Sequence, residues 1–303
     1  MLKQEEYEHA PMTTFDIALP GPLDIPASLE LFRGSGDDLL DRWDGTTFIR
    51  TLPVGTHSVA FACTIHGTKE EPLLRVMLED ARWQSRVEHA VKAMFVYPPA
   101  SFTELLQADP VIACLEKSYP GLRPVLQFDL LAALVRSISA QQVNLSWATT
   151  TRRRLAEAFG EKHIVGGHIV YSLNAARLAA ATPADIRALQ FTTRKAEYII
   201  GVAEAIANGE LSHVDLAALP DEEIIERLTS LRGIGRWTAE WLLARTLGRP
   251  CVVAGDLAVR KAVGLAYLDK PLPSEREVRA CTAHWGLSAA VAQALLLRGW
   301  KSG

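Results

Sequence analysis

Leu228-Thr229-Ser230-Leu231-Arg232-Gly233-Ile234-Gly235-Arg236-Trp237-Thr238-Ala239 carries more of this chain's meaning than any other stretch. Its skeleton is apolar, two spacers, apolar, one spacer, Gly-Ile-Gly, three spacers, Ala. That spacing predicts two helices joined by a very tight turn. The glycines permit positive φ and a bare backbone surface, and Ala239 lets the second helix pack closely on the first. A turn of this kind can present successive N–H groups at a helix N-terminus, where an anionic oxygen is well placed. An ordinary helical hairpin, whose glycines merely reverse the chain, is the competing reading.

Working outward, the chain has 303 residues, 49% of them apolar and 22% charged, which is room for two or three domains and a sizeable core. No run of eighteen apolar residues occurs, and Met1 to Glu8 is polar and acidic rather than a signal segment. The expectation is a cytoplasmic protein with no membrane partner. Cys63, Cys114, Cys251 and Cys281 are scattered without a Cys-x-x-Cys pair, so no disulfide framework, zinc site or iron–sulfur cluster is expected. His57, His66, His89, His163, His168 and His213 show no ligand spacing, and His9 falls in an N-terminal stretch expected to be mobile. The net charge of −3 is unevenly spread: residues 1–50 hold ten acids and four bases, residues 136–200 nine bases and four acids. A locally basic middle can still meet phosphates, because charges act over a Debye length of about 8–10 Å. Arg152 to Arg154 could equally be a solvated helix face.

The fold class expected is α+β. Residues 1–96 read as a small antiparallel sheet with helices, its strands at Thr46–Leu52, His57–Ile65 and Pro72–Glu79 separated by turn signals, with helices at Ile25–Phe32 and Trp83–Phe95. After Tyr97-Pro98-Pro99 the texture changes. Residues 97–303 read as an all-α domain with room for two lobes and a cleft between them. Within it a strong amphipathic pattern from Phe128 to Phe159 breaks around Gln142, and further helices are expected over Thr193–Ala207, Pro220–Ser230, Arg236–Leu247 and Leu257–Ala266.

Asp256 sits in Val252-Val253-Ala254-Gly255-Asp256-Leu257, where an apolar segment leads in and a helix leads away. Asp is a good N-cap. It can also be a carboxylate held ionised at a helix N-terminus and aimed into the groove facing the hairpin, and both roles can hold together. At this point the chain resembles the helix-hairpin-helix DNA glycosylase superfamily, and the Gly-Ile-Gly-Arg-Trp-Thr-Ala string resembles its 3-methyladenine DNA glycosylase II (AlkA-like) branch. Ser137-Ile138-Ser139-Ala140-Gln141-Gln142-Val143, Lys195-Ala196-Glu197-Tyr198 and Pro120-Gly121-Leu122-Arg123 extend the likeness over most of the chain, the β-rich N-terminal part included.

The resemblance implies a monomeric enzyme acting on double-stranded DNA with alkylated bases. Arg232, Gly233, Ile234, Gly235, Arg236 and Thr238 would form the phosphate-binding hairpin, and Gln142 the wedge that fills the gap left by a flipped base. Asp256 would be the catalytic acid that stabilises an oxocarbenium-like sugar as the base departs. Trp237 stands where bifunctional members carry a Schiff-base Lys, so base release without strand nicking is implied. Trp237 and Trp241, four apart on one helix face, match aromatic pocket positions, although aromatics at that spacing are usually core. In His284-Trp285-Gly286-Leu287-Ser288-Ala289-Ala290 the chain departs from the branch: Ser288 stands where a further pocket indole would be, implying a roomier pocket. No cofactor is required. A Na+ or K+ ion on the backbone carbonyls of Thr229, Leu231 and Ile234 is a further implication. Two rivals remain open at this point: a non-catalytic helix-hairpin-helix module that binds damaged or bent DNA, and a relative acting on oxidised bases.

Overall fold

The structure, a computed structural model, describes residues 12–55 and 57–302. The stretch around His9 and the N-terminal residues read for a signal segment lie outside the described residues. The chain opens with strand β1 (Thr13–Ala18), which the sequence reading passed over, and a short helix α1 (Ile25–Leu29). Strands β2 (Arg42–Trp43), β3 (Thr47–Val54), β4 (His57–Gly67) and β5 (Pro72–Leu78) follow, then helix α2 (Gln84–Ala93). The five strands form one sheet in the order β1-β5-β4-β3-β2, with every neighbouring pair antiparallel.

Along β3, residues 47–51 are buried without interruption, because both faces of the sheet are covered. Phe48 enters the core that α1 and α2 build with Ile25, Leu29, Val87 and Val91. Its neighbour Ile49, pointing the other way as strand geometry requires, packs with Ala62, Val165 and Val170. The last two come from the hairpin β6 (Gly160–Val165) and β7 (His168–Leu173), which lies within the helical part of the chain. Gly166 and Gly167, at φ 55° and 79°, make its two-residue turn, as a tight hairpin with right-handed strand twist requires.

The helical part begins with α3 (Phe102–Ala108) and α4 (Pro110–Ser118), followed by α5 (Leu130–Ala140) and α6 (Leu145–Phe159) flanking the break at Gln142. After the hairpin come α7 (Ala175–Ala179), α8 (Pro183–Ala188), α9 (Thr193–Ala207), α10 (His213–Ala217) and α11 (Asp221–Thr229). The chain closes with α12 (Arg236–Arg245), α13 (Leu257–Val263), α14 (Glu275–Thr282) and α15 (Ala289–Ser302). These helices build two further cores. One is centred on α5, α9 and α12 through Leu134, Ile138, Ile199, Leu228, Ile234 and Ala239. The other joins α3 and α4 to the last three helices through Phe102, Ile112, Val259, Trp285, Val291 and Leu295. The stretch 275–300 is long and apolar enough to cross a membrane by length and composition. It is broken at Gly286 (φ 49°), and Val278, Trp285, Val291 and Leu295 are buried in that last core.

Part of the basic middle is internal. Asp38 and Asp41, in the loop before β2, meet Arg136 of α5 at 2.9 and 3.2 Å. Asp38 also accepts from Arg152 Nε of α6 at 2.8 Å, and Asp41 pairs with Arg50 of β3 at 3.0 Å. Arg152 is therefore neither a solvated face nor a phosphate contact; it is buried, while its neighbour Arg153 sits outside on Glu157. Burial alone would push the Asp38 carboxyl up, but the Arg136 and Arg152 guanidiniums outweigh it and hold its pKa at about 2.

Removing one partner of such a buried cluster leaves the other charges unpaired, at a cost of about 3–5 kcal/mol. Asp38→Asn is expected to lower stability by about that amount at neutral pH, read by chemical denaturation. The folded pKa lies below the unfolded value, so this contribution is full above pH ~4 and is lost as pH falls toward about 2. The gap between wild type and variant should close over that window. A gap unchanged at pH 2.5 would rule out the ion cluster as its source.

Candidate active site

The hairpin turn is built as its sequence requires at one glycine and not at the other. Gly233 has φ 89°, and a Cβ there would stand 2.2 Å from the Tyr198 ring of α9. Gly235, with φ −99°, is in extended backbone that any residue adopts, and a Cβ on it would meet nothing within 4 Å. Its bareness therefore faces open space. Ile234, 4% exposed, anchors the turn in the core beneath. Two 3.1 Å bonds tighten the turn, from Leu231 N–H to the Leu228 carbonyl and from Ile234 N–H to the Leu231 carbonyl.

Gly235 caps α12 without a side chain. Asp109, Asp129, Asn144 and Ser274, by contrast, each accept from the first turn of their own helix. The first N–H groups of α12 thus have no intrahelical or side-chain acceptor, which suits an anion. Arg232 and Arg236 flank this opening, their side chains 77% and 60% exposed. Arg232 pairs with Glu197 at 3.2 Å and lies over the Tyr198 ring. Thr238, expected with them, is instead buried, and its hydroxyl is bonded to Ser137 Oγ at 2.9 Å, tying α12 to α5.

The loop between α5 and α6 stands beside the turn. Gln141 Nε2 donates to the Gly233 carbonyl at 3.1 Å, and Lys195 Nζ closes the end of α5 by donating to the Ser139 carbonyl at 2.8 Å. Gln142 itself has φ 56° and is exposed, at the head of a run from residue 142 to 147 in which every residue is exposed. A side chain in the left-handed region at a loop tip costs about 1 kcal/mol for a residue other than glycine. Here the flanking helices hold it there.

Asp256 is both cap and free carboxylate. Its Oδ1 accepts from the N–H groups of Ala258 and Val259 at 2.8 and 3.0 Å, fixing the start of α13. Its Oδ2 accepts from Trp237 Nε1 at 3.3 Å. The loop leading in is held by Gln293 of α15, whose Oε1 accepts from Val253 N–H at 2.8 Å in a buried setting; sequence reasoning did not single out Gln293. A charge interaction with Asp256 also reaches Arg245, at the end of α12; burial lowers the pKa of that guanidinium and the carboxylate offsets part of the effect.

Of the three residues expected to line a base pocket, the structure brings one to the acid. Trp237 meets Asp256 directly. Trp241 packs against the core around α5 and α9 instead. Ser288 is 1% exposed and so offers no surface to a cleft. Trp285 cannot substitute: it is buried, and its Nε1 donates to Asp109 Oδ2 at 3.2 Å. That same oxygen accepts from Tyr267 Oη and His284 Nε2, both at 2.8 Å, while Oδ1 caps α4. Burial would raise the Asp109 carboxyl, but these hydrogen bonds outweigh it and hold it below the usual carboxylate range. A lone Asp-Pro at residues 109–110 signals a cap in sequence; its partners more than 150 residues away are visible only in the fold.

A cavity of about 970 Å³ lies elsewhere, between the sheet and the helices, and is lined by Pro53, His89, Phe128, Asp129, Ala176 and His213 among others. None of the residues gathered around Asp256 lines it. Among the described residues no cluster of three or more His, Cys, Asp or Glu suits a metal ion.

Comparison with known proteins identifies the family. A family profile described as HhH-GPD superfamily base excision DNA repair protein matches residues 135–286. A DNA-3-methyladenine glycosylase of Bacillus subtilis is 32% identical over 89% of this chain and 91% of its own length. Among solved structures, the 3-methyladenine DNA glycosylase from Archaeoglobus fulgidus superposes with a TM-score of 0.83 at 21% identity, covering 95% of this chain and 98% of its own. An 8-oxoguanine glycosylase/lyase of Clostridium acetobutylicum, in complex with double-stranded DNA, superposes with a TM-score of 0.71 at 18% identity over 93% of each chain. With its uncapped Gly-Ile-Gly hairpin set beside the carboxylate that caps the next helix, this chain belongs to the HhH-GPD superfamily, on its 3-methyladenine DNA glycosylase branch.

Proposed function

We propose that this protein is a monofunctional DNA glycosylase that releases alkylated bases from duplex DNA, in base excision repair, as a monomer in the cytoplasm. The observation that carries the reading is Asp256, presented by two backbone N–H groups and one indole N–H beside an uncapped helix N-terminus. The hairpin would seat a backbone phosphate on the open N–H groups of α12, with Arg232 and Arg236 beside it. Gln142, exposed at its loop tip, would fill the stack where the damaged nucleotide is drawn out. As the C1′–N bond breaks, its electron pair leaves with the base. The Asp256 carboxylate stabilises the positive sugar left behind and orients the water that adds to C1′. A ring-alkylated base is already cationic and departs readily, so one carboxylate suffices.

The indole of Trp237 occupies the helix position from which a lysine would attack C1′, and an indole has no amine to form a Schiff base. That supports release without strand nicking. A Na+ or K+ ion on the carbonyls of Thr229, Leu231 and Ile234 belongs to the same proposal; the Leu231 carbonyl already accepts one hydrogen bond in the turn and would share its oxygen.

The test is release of free bases from methylated duplex DNA, with strand breaks scored before and after alkali. Asp256→Asn should retain the cap and DNA affinity yet lose base release by about 100-fold or more. Breaks should appear only after alkali. Wild-type release no greater than that of the variant would reduce the protein to a DNA-binding module, and breaks before alkali would overturn the monofunctional reading. The two turn glycines separate structure from binding. Gly233→Ala should destabilise the fold by about 2 kcal/mol or more, through its positive φ and the Tyr198 ring. Gly235→Ala should leave the melting temperature unchanged while weakening DNA binding about tenfold, since only a bound backbone comes close to that position.

A further inference from the structure

Glu240 is the least expected charge on the hairpin helix. It is 1% exposed, one turn beyond Arg236, and its Oε1 accepts from two guanidiniums: Arg236 Nε at 2.8 Å and Arg279 Nη2 of α14 at 2.7 Å. Its Oε2 is buried with no hydrogen-bond partner. A half-satisfied buried carboxylate is a poor source of stability, since its desolvation competes with the attraction it gains. What it does supply is geometry. Two like charges that would separate in water are gathered onto one oxygen, each with N–H donors left over. Arg236 and Arg279 remain 60% and 39% exposed. Glu275, the remaining acid near Arg279, is 3.9 Å away and largely exposed, too distant for a hydrogen bond.

The pair sits between the two parts of the site already described. Arg236 follows Gly235 directly, at the open end of α12. On the other side α14 abuts the catalytic loop, where a Cβ on Gly255 would stand 3.2 Å from Glu275 Oε1. We propose that Arg236 and Arg279, positioned by Glu240, form a second backbone-phosphate seat, set between the hairpin turn and the Asp256 loop. The inference rests on the DNA reading above. It adds Arg279 to the DNA contacts and makes Glu240 a positioning residue. Two planar guanidiniums on a shared buried acceptor match a phosphate diester, whose two free oxygens each take a charge-assisted bond. A phosphate here would be the one next along the strand that passes the catalytic carboxylate.

The test is equilibrium binding of a duplex carrying a non-cleavable abasic analogue, measured by fluorescence anisotropy over a series of KCl concentrations. Each phosphate contact contributes about 0.9 to the slope of log K against log salt. Arg279→Gln should make that slope shallower by about 0.9 and weaken binding several-fold, equally for damaged and undamaged duplex, because a phosphate contact carries no base information. Arg279→Lys keeps the charge and should keep the wild-type slope. Arg86→Gln, on α2 of the sheet domain, should change neither slope nor affinity. An unchanged slope in Arg279→Gln, with only a lower melting temperature, would overturn the seat and leave Arg279 as a purely structural brace. Wild-type protein with no salt-dependent duplex binding would fail differently, by removing the DNA reading on which the seat rests.

Discussion

One hydrogen bond joins the two halves of the chemistry. The Trp237 indole, on a helix rooted in the core of α5 and α9, donates to Asp256, whose helix belongs to the core of α3, α4 and the last three helices. A second tie, Glu240 to Arg279, makes the same crossing one turn further along α12. The hairpin helix is therefore the element on which the distance between the uncapped turn and the Asp256 carboxylate depends. A bond of 3.3 Å is weak taken alone, of the order of 1 kcal/mol. Its value lies in fixing one carboxylate oxygen while the α13 N–H groups fix the other, so that the orientation of the whole group is set.

The arrangement of charge follows from the same economy of parts. An overall acidic chain is a poor prospect for binding DNA if only net charge is considered. Two of the nine bases in the middle of the sequence turn inward, where Arg136 and Arg152 neutralise Asp38 and Asp41 and brace the sheet domain against α5 and α6. What faces outward near the site is small in number but fixed in place: Arg232 over Tyr198, Arg236 and Arg279 on Glu240. A few pre-positioned guanidiniums beside open backbone N–H groups can seat a phosphate without a general cationic surface.

The turn and the acid were legible because both depend on local backbone rules. Gly233 needs its positive φ, and Asp256 announces a helix start, so the sequence-level signal is strong for both. The α+β class was legible from strand-like runs early in the chain and amphipathic helical patterns later. The hairpin β6–β7 was missed although Gly166-Gly167 is a good turn signal, because its strands are short and lie directly against the long helical pattern of α6. Helical spacing put Trp237 and Trp241 on one face but could not say that the first meets a carboxylate and the second a hydrophobic core. Gln293 carries no local signal, and Asp109 signals only a cap; these two and Glu240 each also have a partner 39 or more residues away that only the fold reveals.

The base slot follows from these placements. Trp285 is pinned by the buried Asp109 oxygen that also holds Tyr267 and His284, so it cannot swing out to face Trp237. Ser288 is buried as well. On the proposed reading a flipped base would stack on the Trp237 indole, and one cation–π face is worth about 0.5–2 kcal/mol, a modest preference for a cationic base over a neutral one. Selection by fit would then be weak, and discrimination would fall on the bond being broken. On that reading alkylated bases, already positively charged, would leave with the help of one carboxylate, whereas normal bases would need a proton donor as well.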